Sequence, residues 1–174
     1  DGISDGRDLR RISLRADWRR DWFLTNGMVA AVLGEAVADV YSIGQDATYA
    51  GTTTRLHGAV AAELRWPWVK AGAGGVSQVI EPVAQLVLAP SGNDSLPNED
   101  SALVEFDEGN LFALNRFPGS DAVERGLRAN LGVSYLRSDP KGWNLGLTMG
   151  RVLRADDMGQ FSDGSGLGGL QSDW

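Results

Sequence analysis

Several stretches of the chain alternate apolar and polar residues with a period of two, the pattern of a β-strand with one apolar and one polar face. The clearest covers residues 127–135, where Leu127, Ala129, Leu131, Val133 and Tyr135 alternate with Arg128, Asn130, Gly132 and Ser134. Ser138, Asp139, Pro140, Lys141 and Gly142 then supply turn chemistry. The pattern resumes with Trp143, Leu145, Leu147 and Met149 against Asn144, Gly146, Thr148 and Gly150. Matched alternation on both sides of a Pro/Gly turn predicts a β-hairpin. Ile12, Leu14, Ala16 and Trp18 set against Arg11, Ser13, Arg15 and Asp17 predict another strand, with Trp18 at its end. Residues 56–66 predict a further one, with Leu56, Gly58, Val60, Ala62, Leu64 and Trp66 on one face. Over residues 76–88 the alternation weakens, because Val79, Val83 and Val87 share the face of Glu81 and Gln85; the stretch still reads as a strand. Residues 28–43 open on an alanine-rich run compatible with a helix, but Gly34 and the β-branched Val32, Val37, Val40 and Ile43 favour a strand. The polar intervals 44–54 and 90–109 read as long loops.

The fold class that follows is all-β and antiparallel. Periodicity alone does not say what the apolar face meets, since a soluble sandwich buries it inward and a membrane barrel turns it toward lipid. Two features lean toward a barrel wall. Trp18, Trp22, Trp66, Trp68, Tyr135 and Trp143 are placed near strand ends, as in interfacial girdles, and the polar faces carry many small residues.

Composition narrows the partners. No run of about 18 apolar residues exists, so no transmembrane helix is predicted, whereas barrel strands need only about 9–11 residues each. The formal charge is −7, and Arg10, Arg11, Arg15, Arg19 and Arg20 are offset by acids elsewhere. Nucleic acid is therefore not an expected partner. The chain has no cysteine, which excludes disulfides and thiolate metal sites. It opens on Asp1 without a start methionine or an apolar secretion segment, so the expectation is a piece of something longer.

Candidate chemistry is sparse, and no cofactor, metal site or catalytic residue is expected. Gly164, Gly166 and Gly169 match G-x-G-x-x-G, but too few residues follow for the helix such a site needs, and a loop or turn is the reading. His57 is the single histidine, so Ser-His-Asp chemistry would have to pass through it. A histidine on a polar strand face is the plainer reading. Asp94, Glu99, Asp100, Glu105, Asp107 and Glu108 lack EF-hand spacing and read as a solvated loop. Asn93-Asp94-Ser95 fits a glycosylation sequon. Pro82 inside a strand removes one ladder donor and marks a bulge or kink.

Longer-range features carry a family resemblance. The segment Ile80-Glu81-Pro82-Val83-Ala84-Gln85-Leu86-Val87-Leu88-Ala89-Pro90, then Phe106-Asp107-Glu108-Gly109-Asn110-Leu111-Phe112, then Asn115-Arg116-Phe117-Pro118-Gly119-Ser120-Asp121 follow in order, and the chain closes on Ser172-Asp173-Trp174. In order and spacing they resemble the C-terminal barrel region of the LptD (organic solvent tolerance) family of outer-membrane lipopolysaccharide-assembly proteins. The resemblance extends from Asp17 to the C-terminus and is most specific between Gln78 and Asn130.

The resemblance implies a bacterial outer-membrane location and one very large antiparallel barrel, of roughly 26 strands, preceded by a periplasmic jelly-roll domain. The chain, residues 1–174, would be a partial barrel domain of roughly six to eight strands that does not close alone; the jelly-roll domain and the remaining strands would be absent. The implied function is assembly of lipopolysaccharide into the outer leaflet, with this piece as non-catalytic wall and loops. Implied partners are lipopolysaccharide, a lumenal plug lipoprotein of the LptE type, outer-membrane lipid, and a periplasmic bridge protein through the absent N-terminal domain. Asn115, Arg116, Gly119 and Asp121 match the family stretch, and an Arg–carboxylate bond tying a lumen-entering loop to the wall is the expected role. With Glu81, Pro82, Arg128 and Asn130 they are the structural or lumenal candidates. Two other readings stay open, an outer-membrane lipid-hydrolysing barrel enzyme using His57 and a soluble β-sandwich binding an apolar ligand.

Overall fold

A computed structural model describes residues 8–44, 51–90, 104–119 and 122–172. The alternating segments become seven strands: β1 (Asp8–Phe23), β2 (Val29–Gly44), β3 (Gly51–Arg65), β4 (Trp68–Ala71), β5 (Ser77–Ala89), β6 (Gly126–Asp139) and β7 (Trp143–Arg154). They form one antiparallel sheet in the order β1-β2-β3-β5-β6-β7, with β4 prolonging β3 along β5. The sheet is open, since β1 and β7 do not pair with each other. Among the described residues there is no α-helix, only 3-10 turns at Ala73–Gly75 and Asp163–Ser165.

The predicted hairpin forms with Tyr135 opposite Leu147 and Val133 opposite Met149. Its turn is tighter than expected: Ser138 and Asp139 stay in β6, and residues 140–142 turn, with Gly142 at a φ of 92°. Residues 29–44 are strand, because β2 is paired along both edges and those ladders outweigh the local helix propensity of its alanines. The expected loop at 44–54 is corrected: β2 runs to Gly44 and β3 begins at Gly51. Thr52, Thr53 and Thr54 are polar but β-branched, and they suit a ladder. Residues 45–50 lie outside the described residues. Trp18 and Tyr135 are likewise not strand ends, since β1 continues to Phe23 and β6 to Asp139. Pro82 marks a break rather than a bulge. Across from it the β3 ladder stops at Arg65 and resumes at Trp68, with Pro67 between and the Trp66 N–H donating to the Pro82 carbonyl at 3.1 Å.

The ladder register carries side-chain parity across the whole sheet. One row reads Arg19, Leu33, Ala61, Val87, Arg128 and Arg154, and the adjacent row reads Arg20, Val32, Ala62, Leu86, Ala129 and Leu153. The first row belongs to an inner face, over which residues 104–119, 122–125 and 155–172 fold. Both apolar clusters lie there: Ala59, Ala61, Val87 and Ala89 against Leu33 and Leu114, and Leu111, Val152 and Leu167 against Phe106, Phe112 and Phe161.

The outer face is bare and apolar. Ile12, Leu14, Leu56, Val60, Leu86, Leu147 and Met149 are all more than half exposed, while inward Arg128 and Asn130 are 1% and 0% exposed. That inverts a soluble sandwich, where such leucines would be covered and such charges wet. It is the arrangement of a wall facing lipid, where a strand's apolar alternate residues need no protein partner. The three short turns, at residues 24–28, 72–76 and 140–142, share one end of the sheet, and Trp22, Trp66, Trp68 and Trp143 project outward near it. This half-belt suits a membrane–water boundary on the short-turn side.

The facing gives a direct test by single-cysteine labelling of the full-length protein in bilayers. Leu147→Cys is expected to be quenched by a lipid-soluble reagent and spared by an aqueous one, and the adjacent Thr148→Cys the reverse. The opposite pattern at both sites would overturn the membrane facing of the sheet.

Candidate functional site

The charged positions of the inner face form a continuous hydrogen-bonded path across the sheet. Arg19 of β1 donates to Glu63 of β3 at 2.8 Å, and Gln85 of β5 donates to the other Glu63 oxygen at 3.1 Å. Asn130 of β6 donates to Gln85 Oε1 at 2.7 Å, and Arg116, from the connection between β5 and β6, donates to Asn130 Oδ1 at 2.8 Å. Gln85 and Asn130 sit in the middle because each has both a donor and an acceptor and can pass the path on. Strand parity alone puts Glu63, Gln85 and Asn130 on this face.

The path ends in an arginine cluster. Glu124 receives Arg116 Nη1 at 2.7 Å on one oxygen and Arg154 Nη2 at 3.1 Å on the other, with Arg128 Nε 3.4 Å from that second oxygen. All four side chains are within 4% of complete burial. Arg116 Nη2 also donates to the Leu111 carbonyl, Arg128 Nη2 to that of Leu114, and Arg154 Nη1 to that of Leu167. Burial pushes the Arg116 guanidinium below its ordinary pKa, and the charge of Glu124 opposes the shift.

Asn115 shapes the loop that carries this pair. Its Nδ2 donates to the Ala122 carbonyl at 3.2 Å, and its Oδ1 accepts the backbone N–H of Glu124 at 3.0 Å. The chain is thereby folded so that Arg116 and Glu124 face each other across the loop. Gly119 lies at its tip after exposed Pro118, and Asp121 lies outside the described residues. Leu111 fixes the loop to the wall from the apolar side. It drops into a hollow floored by Gly132 of β6 and Gly150 of β7, which are directly opposite each other. A Cβ on Gly132 would lie 2.7 Å from Leu111 Cδ2, and one on Gly150 would meet the same atom and lie 2.5 Å from the Leu131 carbonyl oxygen. The final loop adds a second layer, stacking Phe161 on Phe117 with ring centroids 4.9 Å apart. Its residues 170–172 then pair along the outer edge of β7.

Of the other residues singled out in the sequence, Glu81 faces inward and, with Arg19, Glu63, Arg65, Glu108 and Phe112, lines a cleft of about 340 Å³. Pro82 is at the strand break and touches neither the path nor the cluster. Glu124 and Arg154 were not anticipated. Parity extended from Thr148 through Gly150 and Val152 places Arg154 inward, a signal available in the sequence; Glu124 sits in irregular backbone and has none. His57 belongs to a separate inner-face group around fully buried Asp39. Asp39 accepts Ser13 Oγ at 2.6 Å and Arg55 Nη2 at 3.0 Å, with His57 Nδ1 3.8 Å away. Glu105, Asp107 and Glu108 are exposed, and Asp107 caps a local turn with Asn110; Asp94, Glu99 and Asp100, with the Asn93 sequon, lie outside the described residues. No group of three or more histidine or acidic side chains among the described residues could hold a metal ion. Gly164, Gly166 and Gly169 form a 3-10 turn and its exit, which bury Leu167.

Against known families, the model described as "LptD: LPS transport system D" matches residues 3–174, beginning before the Asp17 start of the resemblance seen in the motifs. No curated protein matches the chain.

Arg116 gives the sharpest handle on this site. Removing one partner from a buried pair costs about 3–5 kcal/mol. Arg116→Ala in the full-length protein is therefore expected to make residues 104–125 sensitive to protease while the barrel itself stays folded by heat-modifiability on gels. Arg116→Lys is expected to restore little, because an ammonium cannot reach Glu124, Asn130 and the Leu111 carbonyl in the guanidinium's fork. Unchanged protection in Arg116→Ala would show that the remaining contacts, Leu111 in its hollow and Glu124 with Arg154, hold the loop without Arg116.

Proposed function

The chain belongs to the LptD family, which acts in lipopolysaccharide transport at the outer membrane, and from that premise we propose that it supplies non-catalytic wall and inward loops of an outer-membrane barrel that passes lipopolysaccharide to the outer leaflet. The observation that carries this reading is the inverted sheet, apolar toward the bilayer and crossed on its inner face by the Arg19-to-Arg154 path. Such an inner face offers sugars and phosphates hydrogen-bonding groups along the passage, and transport needs no bond made or broken.

The open sheet supports a partial barrel domain. In lipid, an unpaired strand edge leaves backbone groups unsatisfied at several kcal/mol each, so the free edge of β1 calls for a neighbouring strand. We assign that neighbour to further strands of the same family barrel, with a periplasmic jelly-roll domain through which the bridge protein docks. A lumenal plug lipoprotein of the LptE type would meet the inner face.

The reading as a lipid hydrolase draws no support from His57. A nucleophilic serine must give its proton to the imidazole, whereas Ser13 Oγ donates to Asp39. Depletion of the full-length protein in its native cells is expected to leave newly made lipopolysaccharide undelivered to the surface, measured by protease-independent surface labelling, and complementation with His57→Ala is expected to restore delivery. Normal delivery on depletion would refute the transport role. Lipid hydrolysis by the purified protein that disappears in His57→Ala would refute the non-catalytic one.

A further inference from the structure

Three guanidinium groups surround one carboxylate in the arginine cluster. Arg116, Arg128 and Arg154 carry three positive charges and Glu124 one negative, and no other carboxylate among the described residues pairs with any of the three. Burial of unbalanced charge is costly. Arg128 bears the imbalance most directly: its Nε and Nη1 are buried with no hydrogen-bond partner, although its side chain is only 1% exposed. Arg128 and Arg154 are also direct cross-strand neighbours, a like-charge pairing that destabilises a sheet unless something negative stands before both. Glu124 does so, through an oxygen shared between them.

Ownership of these groups is divided. Arg128, Arg154 and Asn130 are fixed by strand ladders on the wall, whereas Glu124 and Arg116 ride on the connecting loop. The donors on the wall outnumber the acceptors that a single carboxylate presents. A phosphate monoester carries about −1.5 to −2 charge and three strong acceptor oxygens, which fits a seat of two or three arginines better than a carboxylate does.

We propose that Glu124 is a resident stand-in for phosphate, and that Arg128 and Arg154, both fixed on the wall, form a seat that a phosphate on the headgroup of the transported glycolipid takes when the loop withdraws its carboxylate. The inference rests on the transport reading above. The loop then acts as a substrate-displaced latch: the cargo's anion replaces Glu124, the surplus positive charge is neutralised, and Arg116 and Glu124 leave the inner face with the backbone that carries them as the headgroup passes.

The test uses the full-length protein in nanodiscs with spin labels at exposed Pro118, on the loop, and exposed Lys141, at a short turn, and reads their separation by pulsed electron resonance. Lipopolysaccharide is expected to shift the distance distribution, while phosphatase-stripped lipopolysaccharide and inorganic phosphate at equal phosphate concentration leave it in place. Glu124→Gln, which weakens the resident competitor, is expected to lower the lipopolysaccharide concentration for half-response by about tenfold, the scale of one charge-assisted hydrogen bond. Equal responses to stripped and intact glycolipid, a matching response to inorganic phosphate, no response at all, or an unshifted Glu124→Gln midpoint would each overturn the proposal. Should Glu124→Gln fail to assemble, the comparison of intact with stripped glycolipid on the parent protein decides alone. Surface delivery in depleted cells separates the two levels: delivery that depends on the protein without a phosphate-specific shift removes the latch and keeps the transport role, and delivery independent of the protein removes both.

Discussion

Everything in this structure depends on which side of the sheet is dry. A strand has two faces and one alternation, so once the apolar residues are assigned to lipid, their polar alternates are committed to the other face, and a slip of one residue would exchange the two sets. Arg20 and Arg151 stand in the outer rows, Arg20 over the Trp22 ring and Arg151 donating to the Ser172 carbonyl. Placing a basic side chain near the bilayer midplane costs about 2–4 kcal/mol. The register therefore drives Arg19, Glu63, Gln85, Asn130, Arg128 and Arg154 onto one surface from five different strands. Under the covering loops they can satisfy one another or remain unpaired, and the path from Arg19 to Arg154 is what mutual satisfaction looks like when the donors and acceptors are spaced by strand geometry.

The same constraint explains the small residues of the inner face. Loops that fold onto a sheet need room, and bulky side chains would hold them off. Ala59, Ala61 and Ala89 lie under Leu114, and Gly132 and Gly150 lie under Leu111. The apolar contacts and the arginine cluster thus secure one connection from two sides: Leu111 by shape, and Arg116 with Glu124 by charge. Neither kind of contact uses the backbone ladder, so the wall does not depend on the loop for its own hydrogen bonds. A rigid wall carrying an element held by side chains alone has two levels of stability within one domain.

Legibility from the sequence followed the same division. The strands and the facing of Arg128 and Asn130 were readable because the ladder period is two and each strand repeats it several times. Boundaries were less readable. Thr52, Thr53 and Thr54 looked like loop because polarity and β-propensity disagree for threonine, and Trp18 looked like a strand end because an aromatic residue can also stand at mid-strand. The arginine cluster was half visible. Arg116 was marked by its place in a motif, but its partner Glu124 sits in backbone with no period, positioned by Asn115 through bonds to Ala122 and Glu124. No local pattern announces a carboxylate whose partners lie 8 and 30 residues away.

The excess of arginine over carboxylate is where structure and function meet. A wall built only for stability would balance its buried charges or replace them with apolar groups, since a well-packed apolar cluster equals or exceeds a buried ion pair in stability. Here the apolar alternative is already present nearby, around Leu111, Val152 and Leu167, and among the described residues the charges stand beside it unbalanced. Imbalance that folding does not require belongs to a function in which the balance changes. In a family that moves an anionic glycolipid, positive charge fixed on the wall and negative charge carried by a loop form an arrangement in which the cargo itself can complete the site.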